Sequence, residues 1–143
     1  MKQKRQICVY VPELTATSAV PARVYLGLLH TSWTIVDFRY LLGGTCGAVT
    51  EDYSILQLKR YYNDTTVTIL WANFKTPSTN LWLPGYLERG AGADAQAHDP
   101  YFDSSSDQQM WAYWEHYFVL TPAAAAGTMT VSFTAHLNLE REV

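Results

Sequence analysis

The sequence predicts an all-β fold, an antiparallel β-sandwich or jelly roll of about seven or eight strands with one long irregular loop. Three observations carry this. Residues Thr128 to Leu139 alternate without a break: Met129, Val131, Phe133, Ala135, Leu137 and Leu139 fall on one side, and Thr128, Thr130, Ser132, Thr134, His136 and Asn138 on the other. Five Trp, ten Tyr and five Phe, with many threonines, favour strands over helices. Shorter alternating segments recur between Pro, Gly and Asn/Asp punctuation, with hairpin-length connections mixed with long ones.

The chain of 143 residues suits a single domain, 1–143, large enough to bury a core. A formal charge of −3 gives no general pull toward nucleic acid or an anionic membrane surface. Cys8 and Cys46 can pair only if their Cα atoms come within about 7 Å; otherwise they are expected as buried thiols. The opening Met-Lys-Gln-Lys-Arg lacks the apolar stretch of a signal peptide, and no run approaches the ~18 apolar residues of a membrane span. A soluble product made in a cytoplasm is expected.

Taken in order, residues 1–6 form a basic N-terminal arm carrying Lys2, Lys4 and Arg5. Ile7, Val9 and Val11 then predict a strand from Gln6 to Val11 that Pro12 stops or places at an edge. Val24, Leu26 and Leu28 alternate with Arg23, Tyr25 and Gly27. From Trp33 to Leu42, Val36, Phe38, Tyr40 and Leu42 are expected on one face, with Asp37, Arg39 and Leu41 on the other; Gly43, Gly44 and Gly47 then allow a turn. Tyr53 to Tyr61 and Thr66 to Phe74, separated by Asn63-Asp64, read as a hairpin. Residues 75–109 lose the pattern, apart from a short strand suggested at Leu81–Leu83, and read as a long loop insertion. Met110 to Leu120 is nearly all apolar or aromatic, so neither period wins; a strand is preferred to a short helix capped by Asp107. Pro122, four alanines and Gly127 then lead into the final strand.

Enzyme motifs are missing: no phosphate loop, no G-x-S-x-G, no H-E-x-x-H and no C-x-x-C. The four histidines are isolated, and Asp94, Asp99, Asp103 and Asp107 are too widely spaced for a calcium loop. No catalytic residue, metal or cofactor is expected. A hydrolase built on acids of that loop is a third class that no spacing supports. The surplus lies in the aromatics, each able to bury about 150–250 Å². Trp82, Tyr86, Tyr101 and Phe102 fall in the loop, where surface exposure is expected, and Trp111 and Trp114 follow closely. With Arg5 in the arm and His136 on the polar face of the last strand, these are the interface or binding candidates.

Three segments resemble small jelly-roll structural proteins of virus particles, above all head decoration, minor capsid and fibre proteins of tailed bacteriophages. These are I-C-V-Y-V-P-E-L at Ile7 to Leu14, S-W-T-I-V-D-F-R-Y-L-L-G-G at Ser32 to Gly44, and G-T-M-T-V-S-F-T-A-H-L at Gly127 to Leu137. The resemblance implies a virion location and a non-enzymatic role. The protein would act by self-association, with threefold symmetry the expected closure, and by attachment to other capsid or tail proteins. The weakly basic arm departs from genome-contacting coats and favours the outer surface. The runner-up is a receptor- or carbohydrate-binding domain of a tail fibre or spike, with Trp82, Tyr86 and Tyr101 stacking on sugars of a glycan.

Overall fold

The computed structural model describes residues 1–17, 19–42, 53–75, 85–88, 101–103, 107–122 and 128–143. These form ten strands: β1 (Lys2–Thr17), β2 (Ala22–Leu28), β3 (Trp33–Leu42), β4 (Tyr53–Tyr62), β5 (Thr65–Lys75), β6 (Gly85–Glu88), β7 (Tyr101–Phe102), β8 (Gln109–Met110), β9 (Glu115–Pro122) and β10 (Thr128–Glu142). Among the described residues there is no helix, and so none long and apolar enough to cross a membrane. One sheet runs β1-β10-β3-β6, with β8 also on β3, and the other runs β2-β9-β4-β5-β7. Every pairing is antiparallel. Among the described strands, only β4 and β5 are both consecutive in the chain and paired.

The alternation of β10 puts Val131, Phe133, Ala135, Leu137 and Leu139 in the core, and β10 lies centrally between β1 and β3. Both sheets contribute to one continuous cluster. In its middle Tyr40, Phe118 and Phe133 meet edge to face, with centroids 5.4–6.1 Å apart. Such contacts add about 0.5–1.5 kcal/mol per pair beyond burial. Burial pushes the Tyr40 phenol far above its ordinary pKa.

The N-terminal residues differ from expectation. Residues 2–6 are not an arm but the start of β1, with Lys2 opposite Glu142 and Lys4 opposite Glu140. The length of β10 provides this ladder, and Lys2 and Lys4 both lie within 4 Å of the Glu140 carboxylate, at 3.5 and 3.8 Å. Nor does Pro12 stop the strand. The register shifts between Val11 and Leu14, so Pro12 and Glu13 bulge outward from an edge strand where a missing N–H is tolerated.

Bulges also change which faces are buried. A shift in the β3–β10 pairing leaves Val36 exposed and buries Trp33 and Ile35 beside Phe38 and Tyr40. In β2 a shift between Tyr25 and Gly27, with Gly27 at φ 86°, turns Leu28 outward and brings Leu29 onto the core. The β4–β5 turn has Asn63 at φ 47° and Asp64 at φ 64°, and Tyr62 pairs with Thr65. This is a two-residue type I′ hairpin.

Within 75–109, β6 pairs with β3 and β7 pairs with β5; Leu81–Leu83 lie outside the described residues. Met110 to Leu120 is not one strand. β8 ends at Met110, a turn follows with Tyr113 at φ 64°, and β9 begins at Glu115. Cys8 is a free thiol on the exposed face of β1 rather than a buried one, while Cys46 lies outside the described residues.

Candidate binding surface

One strand face leads to the site. Leu56, Leu58 and Arg60 follow one another at spacings of two on β4, so the same alternation that buries two leucines carries a guanidinium inside. Arg60 stands opposite His116 of β9, itself in line with Phe118 and Leu120. This is the end of the sandwich, where residues 107–114 cross from one sheet to the other.

That crossing segment supplies the counter-charge. Arg60 donates from Nη1 to Asp107 Oδ1 at 2.6 Å and from Nη2 to Asp107 Oδ2 at 2.8 Å, a bidentate pair, and from Nη1 to the Gln109 carbonyl at 2.8 Å. The segment is pinned in turn. Ile35 N–H donates to the Gln108 carbonyl (2.8 Å), Gln109 Nε2 to Thr34 Oγ1 (2.8 Å), Ala112 N–H to Ser32 Oγ (2.8 Å) and Tyr113 N–H to the Leu29 carbonyl (2.9 Å). The guanidinium lies 5.8 Å from the Trp111 centroid and 5.3 Å from that of Trp114, within cation–π reach. Tyr62 stacks on Trp114 at 5.4 Å and 30°, and His30 meets Tyr113 edge-on at 5.9 Å.

The electrostatics are those of a closed clamp. The Arg60 hydrogen bonds hold the Asp107 carboxyl below its ordinary pKa, against the opposing effect of partial burial. His116 has no exposed surface, and neither ring nitrogen meets a partner of good geometry. Burial, then the neighbouring Arg60 charge, pushes its imidazole down to about 4, with the Trp114 carbonyl pulling the other way. His116 is therefore neutral at pH 7.

Outside the clamp, rings remain open: Trp111 is 40% exposed, Tyr62 54% and Tyr113 61%. The arrangement offers aromatic faces on a well-tied turn, suited to stacking or to burial by a partner. Among the described residues no three His, Cys, Asp or Glu side chains gather as a metal site.

Of the residues singled out from the sequence, the structure brings Trp111 and Trp114 together. Arg5 reaches the same end from the other sheet, 6.0 Å from the Trp33 centroid, where Arg141 also lies at 5.1 Å; Trp33 pairs with Met110. Phe102 is half-buried and packs on Phe38 at 5.1 Å, as part of the core's margin. Tyr86 and Tyr101 pair through their backbones with Leu41 and Trp71, while Trp82 lies outside the described residues, as do Asp94 and Asp99. His136 lies on the outer face of β10, opposite Cys8 and Arg39, with its Nδ1 3.6 Å from Cys8 Sγ. Asp107, the last of the acid run, is committed to Arg60.

Sequence reasoning missed Arg60, His116 and Tyr62. A signal existed for the first: an arginine in step with Leu56 and Leu58 must face inward and requires a buried partner. Which acid would answer it was not readable, since Asp107 lies 47 residues away. No known family model matches the chain, and no curated protein is similar to it.

Proposed function

We propose that the chain is a jelly-roll structural component of a virus particle, a capsid, head-decoration or minor capsid protein that acts by self-association and attachment to neighbouring subunits. The strand order supports the jelly roll. The orders β1-β10-β3-β6 and β2-β9-β4-β5 interleave strands from the two halves of the chain, as two Greek keys folded together would. The segments that resemble phage structural proteins contribute β1, β3 and β10, three neighbours in one sheet. The observation that carries the functional reading is the pair of open rings Trp111 and Tyr113 on the 107–114 turn, held by at least six hydrogen bonds to side chain or backbone, with the open ring of Tyr62 at the end of β4 stacked on Trp114. Rigid, exposed rings gain most from burial across a repeated interface, at about 25 cal/mol per Å² of apolar surface.

Light scattering on the eluting protein is the test. A closed oligomer, with threefold symmetry expected, should form at micromolar concentration and fall to monomer when Trp111 and Tyr113 are both changed to Ala. A monomer that also fails to bind particles would overturn the reading.

The alternative is recognition of a glycan receptor by a tail fibre or spike, favoured by the stacked Tyr62–Trp114 pair beside Trp111. Binding on a glycan array that disappears in Trp111→Ala, from a protein that stays monomeric, would select it.

A further inference from the structure

β1 is the edge of its sheet, bound to β10 on one side and, among the described residues, to no strand on the other. Which of its backbone groups are open follows from the ladder. Val143 N–H donates to the Met1 carbonyl at 3.1 Å, in step with the pairing of Lys2 to Glu142. Hydrogen-bonded and non-hydrogen-bonded pairs alternate in an antiparallel ladder, so the odd-numbered residues from Met1 to Val11 turn their N–H and C=O toward β10. The far side of β10 gives the same phase. Ile35 N–H is turned to the Gln108 carbonyl, which leaves Thr34 facing Glu140, and so Leu139 and Arg141 facing β1. Lys4, Gln6, Cys8 and Tyr10 therefore point both backbone groups outward.

Beyond β1 a cleft of about 380 Å³ separates it from β2, the edge of the other sheet. Ile7 and Val9 border the cleft while only half-buried, and the exposed residues Cys8, Tyr10 and Tyr25 line it as well, with a free thiol and two phenols. Open edges are usually blunted by charge, by proline or by a bulge. Here Lys2, Lys4 and Arg5 hold one end and the Pro12–Glu13 bulge the other, but Gln6 to Val11 between them carries no charge and no proline. We infer that this stretch pairs antiparallel with the same stretch of a second copy, across a twofold axis at Cys8, and joins two β1-β10-β3-β6 sheets into one.

Self-complementarity selects the occupant. An axis at Cys8 sets Ile7 opposite Val9 of the other copy, so both half-buried residues gain an apolar neighbour on the cleft side. Gln6 then stands opposite Tyr10 and Cys8 opposite its own counterpart, and these residues exchange their open N–H and C=O groups across the axis. The pairing stops at Pro12, which has no N–H to give. Charge favours the same arrangement. Antiparallel strands bring Glu13 of each copy alongside the basic end of the other and keep the two basic ends apart. The inference rests on the self-association reading, to which it adds a second surface that uses none of the rings on the 107–114 turn.

The test is light scattering on the full chain carrying Trp111→Ala and Tyr113→Ala, in which ring-mediated association is removed. A single edge contact is small, so the mass should be that of a monomer near ~10 µM and rise to that of a dimer toward ~1 mM. Over that range amide exchange at Gln6, Cys8 and Tyr10 should slow by about threefold, while Ile7 and Val9, already bonded to β10, should not change. Gln6→Pro removes an outward N–H without touching the β10 ladder, and should leave the fold intact and the mass monomeric throughout. In a Cys46→Ser chain, oxidised glutathione should join the two Cys8 thiols as a disulfide while being reduced to two glutathione thiols. Opposed Cα atoms of a hydrogen-bonded pair lie about 5.5 Å apart, within disulfide reach. Gln6→Pro should prevent this cross-link. A monomer at ~1 mM, a dimer that persists in folded Gln6→Pro, or unchanged exchange at all three amides would overturn the proposal. If Gln6→Pro unfolds, the cross-link and the exchange pattern decide. Ring-dependent oligomers without the edge dimer would defeat this proposal alone, and an edge dimer in a protein that forms no ring-dependent oligomer would defeat the ring-mediated assembly instead.

Discussion

The middle of the sandwich and its Arg60 end are built by the same rule and reach opposite chemistries. On β4 the inward positions read Leu56, Leu58, Arg60; on β9 they read Leu120, Phe118, His116. In the middle these positions meet apolar side chains from the facing sheet, and rings pack edge to face. At the end the facing sheet gives way to the 107–114 turn, which supplies a carboxylate and a carbonyl. An inward polar residue is tolerated where a crossing segment can satisfy it and where Asp107 keeps a third of its side chain in water. The middle therefore holds the fold, and the end carries the open rings Tyr62, Trp111 and Tyr113.

That contrast can be broken in graded ways. Phe118→Ala removes a ring from the centre of the edge-to-face cluster and should cost about 4 kcal/mol in denaturant unfolding. A loss under about 1 kcal/mol would mean that the middle is not the stabilising region.

The buried imidazole should show itself through pH. His116 titrates near 4 in the fold against 6.5 when free, so the folded protein binds the proton less well than the unfolded chain. Stability should be full above about pH 6.5, decline as pH falls toward 4, and lose about 3 kcal/mol by then. In His116→Phe that segment of the stability–pH curve should flatten; an unchanged slope would assign it to other groups.

Asp107→Asn leaves the Arg60 guanidinium inside without its counter-charge and should cost about 2 kcal/mol, the partial exposure of Asp107 softening the usual penalty. The depressed Asp107 pKa makes its contribution present above about 3.8 and lost as pH falls below that. Replacing both partners, Arg60→Met with Asp107→Leu, should recover most of the loss; failure to recover would mean the pair organises the turn beyond its charge.

Trp111→Ala should change stability by about 1 kcal/mol or less while weakening association, since much of the ring is already in water. A large stability loss would place Trp111 in the middle's category. Smallest of all, Lys4→Ala should alter unfolding by under about 0.5 kcal/mol, because its contact with Glu140 is exposed.

Several elements were legible from the sequence. The β10 alternation and the Asn63-Asp64 hairpin are set by local rules, period two and a turn that tolerates two positive φ angles. Of the candidate residues, Trp111 and Trp114 were readable as an aromatic surplus, but their shared partner was not. The bulges at Pro12, Val36 and Gly27 were invisible because each depends on the partner strand's register. The turn at Tyr113 escaped notice because Met110 to Leu120 is nearly all apolar or aromatic and no period stands out.

By itself, then, the sequence determined the strand character of the chain, the local hairpin and the inward faces of its regular segments, since these follow from steric preference and side-chain alternation over a few neighbouring residues. Tertiary structure alone decided that the basic N-terminus joins a sheet, that Arg60 finds Asp107, and that β1 and β2 face each other across a cleft. Each of those joins residues from distant strands, and their energies arise only when the two sheets come together.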